Sequence, residues 1–570
     1  MIDTSHSART SNRKGEIRGF FASLRMTILY SCAVIVLMGT LTISGCHDSA
    51  RQPSTFEPAT AVVILESSPN NLDPRQGTDA QSEHVGGLIF DALVKKDERY
   101  NLVPWLATAW EQPDAVTWVF HLRDGVRFQD ERPLEAADVV WTLESLIDPK
   151  LAGLVSAKSG SFTAVERVEA RDRLTVVVHM KRPDAGLLFN LSDGLFGVVP
   201  RGSGKDFGLH PVGSGPFRFV SQVQDKEVVL ERFHGCWSDG IAANPTHRGQ
   251  TAMDDAPTAL GVGQQIERLR FNVVPDTITG ALELQKGSAD AASNVLSPDM
   301  VYALANAPGL ETASGPGANV WYLNFNVADP TLADKRVRQA VALAMDRPAI
   351  VAALWRGHAR LADTLLPEGD WAQAASAELT HYPHDAARAA RLLAEAGHPA
   401  GPDGIRLHLT LKISTDATTR LLAVVLQQQL RAAGIDLRIR SAEFGTFYAD
   451  VTHGAFQMYI LKWVGSNEDP DIFRYTASSS SFPPKGANRG HYASQRVDQL
   501  LARASSESGP DAEAHRRAEY VEVQQILSDD LPAIPLWYPE NVVVHTRRLQ
   551  GIDSRGDGSF DFLRNARLTP

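Results

Sequence analysis

The chain has 570 residues, a formal net charge of −11 and 43% hydrophobic residues. A chain of this length can bury more than one core, so we expect more than one domain. The acidic balance argues against a nucleic-acid partner, because phosphate binding requires a basic surface.

The N-terminal residues have the pattern of an export signal. No charged residue occurs from 26 to 45, and five basic residues precede this apolar run: Arg9, Arg13, Lys14, Arg18 and Arg25. Ser44 and Gly45 stand directly before Cys46, which resembles a bacterial lipobox. We predict a signal peptide at 1–45, lipid attachment at Cys46 and a tether at 46–60.

One alternative remains open for this segment. An uncharged run of about 20 residues is long enough for a signal anchor, with Cys46 as an ordinary thiol. If Cys46 carries lipid, Cys236 has no partner for a disulfide, and we expect it to be a buried packing thiol.

The first half of the chain mixes strands and helices. Residues 116–122 alternate, with Trp118, Phe120 and Leu122 on one face, as expected of a half-buried strand. Valines mark a second strand at 174–180, and apolar residues at helical spacing predict a helix at 136–146. The polar, glycine-rich segment 238–264 predicts an exposed loop.

Helices and strands alternate in the second half. Asp334 is placed to cap a helix that runs to 345, and two more helices are predicted to end at Gly397 and Gly434. Their ranges are 385–396 and 418–433, with strands at 407–413 and 435–440 and a last helix at 512–527. This order indicates an α/β fold with some parallel strand pairing.

Enzyme motifs are absent from the sequence. We find no HExxH, CxxC or GxSxG pattern and no P-loop, and the 17 histidines lack metal-ligand spacing. Asp469 and Asp471 flank a proline and are better explained as a solvated turn than as a catalytic pair. We therefore predict no catalytic residue, no cofactor and no metal site.

Trp463 is the aromatic residue with the strongest indication of a ligand site. It precedes the polar run 464–470 (VGSNEDP), and an aromatic wall beside polar groups suits a small-molecule cleft. The alternative is that Trp463 packs in the core, as most buried aromatics do.

Nine segments, in order along the chain, resemble the extracytoplasmic solute-binding proteins of peptide- and nickel-type ABC importers, family 5. They are 71–74 (NLDP), 88–94 (LIFDALV), 104–110 (PWLATAW), 118–128 (WVFHLRDGVRF), 136–140 (AADVV), 213–217 (GSGPF), 322–326 (YLNFN), 336–340 (RVRQA) and 392–397 (LLAEAG). One departure lies at 130–132, where the family's usual Asp-Gly turn is replaced by Asp130-Glu131-Arg132.

The resemblance implies an α/β, two-lobed periplasmic-binding-protein fold of type II, with a hinge and an extra subdomain in the first lobe. The implied divisions are a first-lobe core at 56–78, 206–318 and 531–570, an inserted subdomain at 79–205, and a second lobe at 319–530. The implied partners are a peptide or other small solute, the permease subunits of an ABC importer and, through the lipid, a membrane. We expect a monomer.

In similar dipeptide-binding proteins, an Asp shortly after the loop Trp holds the ligand's ammonium group, and Ser466 occupies that place here. Ser466 cannot form this ion pair, so Glu468 or Asp469 is a substitute. Arg489 has two alternatives, a ligand carboxylate or Glu468, and Asn324 either binds ligand or its own main chain. The candidate ligand contacts are therefore Trp463, Ser466, Asn467, Glu468, Asp469, Tyr322, Asn324, Arg489 and Tyr492.

The leading hypothesis is a lipid-anchored binding protein that delivers peptides to an ABC permease. The alternatives are the same fold with an oligosaccharide, metal chelate or opine-like ligand, and a ligand-presenting sensor lipoprotein. An extracellular hydrolase is the weakest alternative.

Overall fold

The computed structural model describes residues 59–97, 99–154, 156–239, 263–464, 468–509, 511–554 and 556–569. Within these ranges, no helix combines the length and the apolar character needed to cross a bilayer. The predicted signal peptide and Cys46 lie outside the described residues.

A seven-stranded sheet, called the first sheet here, contains strands from both ends of the described chain. Its central strand, Thr60–Leu65, is buried on both faces and pairs in parallel with Arg268–Val273 and with Ala291–Ser293. In spatial order the strands are Leu310–Gly315, Asn541–Thr546, Ala291–Ser293, Thr60–Leu65, Arg268–Val273, Glu227–Arg232 and Phe217–Val223.

A six-stranded sheet, the second sheet, is built from one continuous stretch of chain. In spatial order its strands are Ala359–Leu361, Ala533–Pro539, Val320–Phe325, Met458–Trp463, Leu407–Ser414 and Ile435–Ala442. Strand Leu407–Ser414 runs parallel to both of its neighbours. The carboxyl ends of these three strands therefore meet at one edge of the sheet, the edge at which open α/β sheets bind their ligands.

A four-stranded antiparallel sheet, the third sheet, has its own apolar core. Its strands in spatial order are Ala107–Asp114, Thr117–Leu122, Thr175–Met180 and Val165–Ala170. Short strands complete the strand inventory of the described residues: Val94–Lys96, Leu102–Pro104, Gln264–Gln265, Leu549–Gln550 and Arg567–Leu568.

The helices fall into two groups along the chain. Those before the second sheet are Ala80–Ile89, Ala136–Ile147, Pro149–Ala152, Leu187–Asn190, Thr277–Lys286 and Pro298–Leu304. Those within the stretch that forms the second sheet are Lys335–Ala344, Arg347–Leu354, Ala386–Glu395, Ala417–Ala432, Phe444–Thr452, Ile472–Ala477, Gln495–Ser506 and Ala512–Asp530.

The chain passes between the first and second sheets at two short connections. It leaves the first sheet at Gly315 and enters the second at Val320, and it returns between Pro539 and Asn541. The sequence-based division assigned 531–570 to the first lobe, whereas strand Ala533–Pro539 pairs with Val320–Phe325 in the second sheet. Local sequence could not reveal this pairing, because the two strands are some 200 residues apart.

Most local predictions from sequence are confirmed. Asp334 caps the helix Lys335–Ala344, with its side chain accepting from the backbone N–H of Arg336. Gly397 and Gly434 follow their helices with φ of 94° and 86°, in the left-handed region that glycine favours. Cys236 is buried, and burial raises the pKa of its thiol to about 11.

The turn that departs from the family pattern keeps the left-handed conformation. Glu131 has a φ of 70°, and its backbone N–H donates to the carbonyl of Phe128. The replacement of the usual glycine therefore leaves the turn geometry in place, with the strain borne by Glu131.

Close packing against helix Ala80–Ile89 explains why glycine occupies positions 213 and 215 of the 213–217 motif. A Cβ at Gly213 would lie 1.9 Å from the carbonyl oxygen of Ile89, and a Cβ at Gly215 would lie 2.7 Å from that of Leu88. The Gln129 side chain donates to the Ile89 carbonyl over 3.0 Å and so fixes this contact. The motif thus joins the end of helix Ala80–Ile89 to the first sheet.

Candidate functional site

A cavity of about 440 Å³ lies between residues on the first-sheet side and residues of the second sheet. The first side contributes segments around 71–96, 193–196, 293–295 and 557–564. The second side contributes Lys462, Val464 and Glu468, and Asn319 comes from the connection between the sheets. This volume falls within the roughly 300–1,000 Å³ typical of small-molecule sites.

A buried ion pair bridges the cavity. Lys96 ends the strand Val94–Lys96, and its Nζ lies 2.7 Å from Oε2 of Glu468, with both side chains less than 10% exposed. Burial would lower the pKa of Lys96, but Glu468 and then Asp193 and Asp557 raise it above its ordinary value. Burial raises the pKa of Glu468, and Lys96 opposes that shift. Glu468 thus pairs with Lys96 rather than with Arg489.

Trp463 lies on the opposite strand face from its neighbours. Successive side chains of a strand point to opposite faces; Lys462 and Val464 line the 440 Å³ cavity, whereas Trp463 lines a second cavity of about 100 Å³. All lining residues of this smaller cavity lie between 322 and 535. Trp463 is half-buried, with Tyr475 edge-on at 6.1 Å, and its role as a ligand contact stays a prediction.

Three other predicted residues line the smaller cavity: Tyr322, Asn324 and Tyr492. Oδ1 of Asn324 is buried and accepts no hydrogen bond within the described part of the chain. Tyr492 donates from its hydroxyl to Asp530 over 2.7 Å. Their ligand contacts remain predictions as well.

Asp469 lines neither of these two cavities. One of its carboxylate oxygens accepts from the backbone N–H of Asp471 over 2.8 Å. Burial raises the pKa of Asp469 to about 6, and Arg516 acts in the opposite direction. Asp469 therefore interacts with charged groups of its own loop and of helix Ala512–Asp530, while Glu468 faces the cavity. Ser466 and Asn467 lie outside the described residues.

Asp370 is a further buried acid of this region. Burial, followed by the nearby carboxylates of Asp469 and Glu468, raises the pKa of Asp370 well above its ordinary value. Its Oδ2 has no hydrogen-bond donor among the described residues, and its Oδ1 accepts from the backbone of Ala372.

We expect Asp370→Asn to raise the melting temperature at pH 7.5 by about 1–3 °C. The pKa of Asp370 is raised in the folded state, so Asp370 contributes its full stability below its pKa in the unfolded chain, about 3.9. That contribution is lost as pH rises through the pKa of the folded state. The gain in the variant should therefore shrink toward pH 4, which melting curves at pH 4.5, 6 and 7.5 would measure. An equal gain in melting temperature at every pH would show that the gain does not come from removing the buried carboxylate charge of Asp370.

Lys96, Asp193 and Asp557 are site residues that the sequence did not single out. Lys96 follows the family-like segment 88–94, but its partner Glu468 is 372 residues away. Lys95 and Lys96 look alike in sequence, yet Lys95 pairs with Asp561 beside the ring of Trp105. Within the described ranges, no group of three or more His, Cys, Asp or Glu side chains is placed to hold a metal ion.

Two sheets joined by two short connections, with a charged cavity between them, define a two-lobed substrate-binding protein. The chain belongs to the bacterial extracellular solute-binding proteins, family 5, whose model matches residues 101–483. This is the class that captures solutes for ABC importers.

Similar proteins span almost the whole chain. The chain is 28% identical over 540 residues to the probable di/tripeptide-binding protein 5 of Pseudomonas aeruginosa, covering 89% of this chain and 95% of that one. It is 26% identical over 519 residues to the glutathione-binding protein GsiB of Escherichia coli K12, covering 89% and 94%. The structure of NikZ from Campylobacter jejuni in complex with Ni(L-His) has the same fold, with a TM-score of 0.71, 24% identity and coverage of 90% and 99%.

Proposed function

We propose that the protein is an extracytoplasmic lipoprotein that captures a short peptide, or a peptide-like amino-acid derivative, in the cavity between its lobes. The observation that carries the proposal is the 440 Å³ cavity closed by the Lys96–Glu468 ion pair. Its volume suits a solute of a few residues better than a long peptide. The relatives named for glutathione and for di- and tripeptides support the same ligand size.

Non-peptide solutes form the second candidate class. Glu468 is already paired with Lys96, so its charge is not fully available to a peptide's ammonium group. Ser466 cannot supply that charge either. In an opine-like compound or a metal chelate the amine is substituted or bound to the metal, so the ligand needs no acidic partner for a free ammonium group. The nickel–histidine complex of NikZ is consistent with such a ligand.

Mass spectrometry of the purified protein under native conditions tests the ligand. We expect a non-covalent solute in the mass range of a di- or tripeptide, and a rise in melting temperature with the matching peptide pool. No response to peptides, together with a response to opines or metal chelates, would replace the leading ligand class by the second.

Attachment to the membrane depends on Cys46 in this proposal. We expect Cys46→Ser to abolish labelling by radioactive palmitate, because the thiol is the site of acylation. Cys236→Ser is the matched control and should leave the labelling unchanged. Absence of palmitate labelling from the wild-type protein would favour a signal anchor.

A further inference from the structure

Gln81 and His84, on helix Ala80–Ile89, line the 440 Å³ cavity and have no hydrogen-bond partner in the described part of the chain. Gln81 is 8% exposed, and its Oε1 is buried without a donor. The ring of His84 packs edge-on against Phe560, with ring centres 5.3 Å apart, a contact that uses neither ring nitrogen. An unpaired buried acceptor lowers the stability of a protein, which calls for a reason to keep it.

The other polar side chains of this helix are paired within the protein. Ser82 donates from its hydroxyl to Asp79, the cap of the helix, and Oε1 of Glu83 lies 3.4 Å from Nζ of Lys158. The two unpaired side chains are three residues apart, a spacing that makes them neighbours on the surface of a helix. The helix thus presents one unpaired polar pair to the cavity.

Buried carboxamides with a structural role have their hydrogen bonds satisfied here. Gln129, which is also 8% exposed, donates to three backbone carbonyls and accepts from one backbone N–H. Gln524 donates to two backbone carbonyls and accepts from one backbone N–H. Gln81 is buried to the same degree as Gln129 and has none of these contacts.

The helix that carries the pair is fixed at both ends. Asp79 accepts from the backbone N–H of Ser82 at its start. Near its end, Arg564 donates to the carbonyl of Gly87 over 2.7 Å, and the carbonyl of Ile89 accepts from Gln129. A rigid element presents its side chains to a ligand without an ordering cost, which favours binding.

Both side chains are uncharged hydrogen-bonding groups. Burial lowers the pKa of His84 below its ordinary value, against the opposing effect of Asp557 and Asp79. A neutral imidazole has one donor and one acceptor, and a carboxamide has both kinds of group as well. The pair is therefore suited to a neutral polar group of the solute, whereas Lys96 and Glu468 place charges elsewhere along the same cavity.

We propose that Gln81 and His84 form a subsite for the amide linkage of the solute, in which Oε1 of Gln81 accepts from an amide N–H and the His84 ring donates to an amide carbonyl. A peptide linkage supplies both groups, and each of them needs a partner when it leaves water. This subsite rests on the proposed function, since it assigns part of the solute that the protein captures. It recognises the linkage between residues and not their charged ends.

Calorimetry on peptides and their ester analogues tests the role of Gln81. The probes are defined pools of di- and tripeptides, followed by the best binder and its analogues in which oxygen replaces one amide N–H. The wild-type protein should bind the peptide about 5- to 20-fold more tightly than the analogue altered at the contacted linkage. Gln81→Met should lose affinity for the peptide by a similar factor and bind the two alike.

Two further variants complete the binding test. His84→Phe keeps a ring beside Phe560 and removes both nitrogens, so it should weaken peptide and ester by about the same factor and keep the difference between them. Gln428→Met is the matched control, because Gln428 is an exposed glutamine of helix Ala417–Ala432 and lines neither cavity. It should keep the wild-type affinity and the wild-type preference for the peptide.

Melting temperature gives an independent readout. Gln81→Met should melt at or above the wild-type temperature, because it removes an unpaired buried acceptor. Gln129→Met should melt well below it, because backbone carbonyls and a backbone N–H lose their partners. A comparable loss in Gln81→Met would mean a structural role and would overturn the proposal.

The outcomes separate the subsite from the proposed function. Unchanged peptide affinity in Gln81→Met and His84→Phe, or equal binding of peptide and every ester analogue by the wild-type protein, overturns the subsite and leaves peptide capture standing. A response to N-carboxyalkyl amino acids or metal–amino-acid chelates alone overturns peptide capture and the amide assignment together, because these ligands contain no peptide linkage.

Discussion

Glu468→Gln should shift the empty protein toward an open arrangement of its lobes and weaken solute binding by about 10- to 100-fold. The substitution removes the carboxylate 2.7 Å from the buried Nζ of Lys96. A lost charge-assisted hydrogen bond costs about 1.5–3 kcal/mol, which corresponds to this range of affinity. An open cleft exposes the Lys96 ammonium group to water. The lost interaction should therefore destabilise the closed arrangement of the lobes more than the folded state.

Small-angle X-ray scattering of the empty protein and calorimetry with the solute measure the two effects. The matched control is Asp299→Asn, which breaks an exposed ion pair between Asp299 and Arg356. Exposed pairs contribute about 0–1 kcal/mol, so the control should bind nearly as the wild type does. Wild-type affinity in Glu468→Gln would mean that the ion pair does not hold the lobes together.

Gly213→Ala should lower the free energy of unfolding by about 3 kcal/mol or more. The added Cβ would meet the Ile89 carbonyl at 1.9 Å. That carbonyl accepts from Gln129 Nε2 and from the backbone N–H of Gly215, so it cannot move without breaking both bonds. The substitution therefore forces the end of helix Ala80–Ile89 away from the 213–217 motif.

Urea unfolding measures this loss, and Gly87→Ala is its control. Gly87 lies in the same helix, with no atom within 4 Å of an added Cβ. Alanine in a helix is favoured over glycine by about 0.8–1.0 kcal/mol, so the control should be slightly more stable than the wild type. If Gly213→Ala were as stable as the wild type, the motif glycines would not be explained by this contact.

The Lys96–Glu468 bridge changes how the departure at Ser466 is understood. Sequence suggested that Glu468 replaces the missing acid of similar dipeptide-binding proteins. In the structure, Glu468 faces the cavity, as that idea requires, but a lysine from the opposite side already pairs with it. The charge of Glu468 is therefore already balanced by a lysine of the protein, so Glu468 is not equivalent to that acid.

Local sequence was sufficient for those parts of the fold that depend on neighbouring residues. Asp334 and Gly397 mark a helix start and a helix end, because capping involves residues within one turn. The parallel strands 407–414 and 435–442 followed from apolar alternation and from the helix between them. The ordered family-like segments were enough to indicate the family, which the match over 101–483 then established.

The arrangement of the site was decided by the tertiary structure. Alternation predicts that Lys462 and Trp463 point to opposite faces of their strand, but not which face meets the larger cavity. Lys96 and Glu468 are 372 residues apart, and Tyr322 and Arg489 are 167 apart. Contacts over such separations depend on how two sheets and their helices pack, and no local pattern encodes them. Local sequence was enough for the elements and the family, whereas packing decided which charges face the cavity between the two sheets.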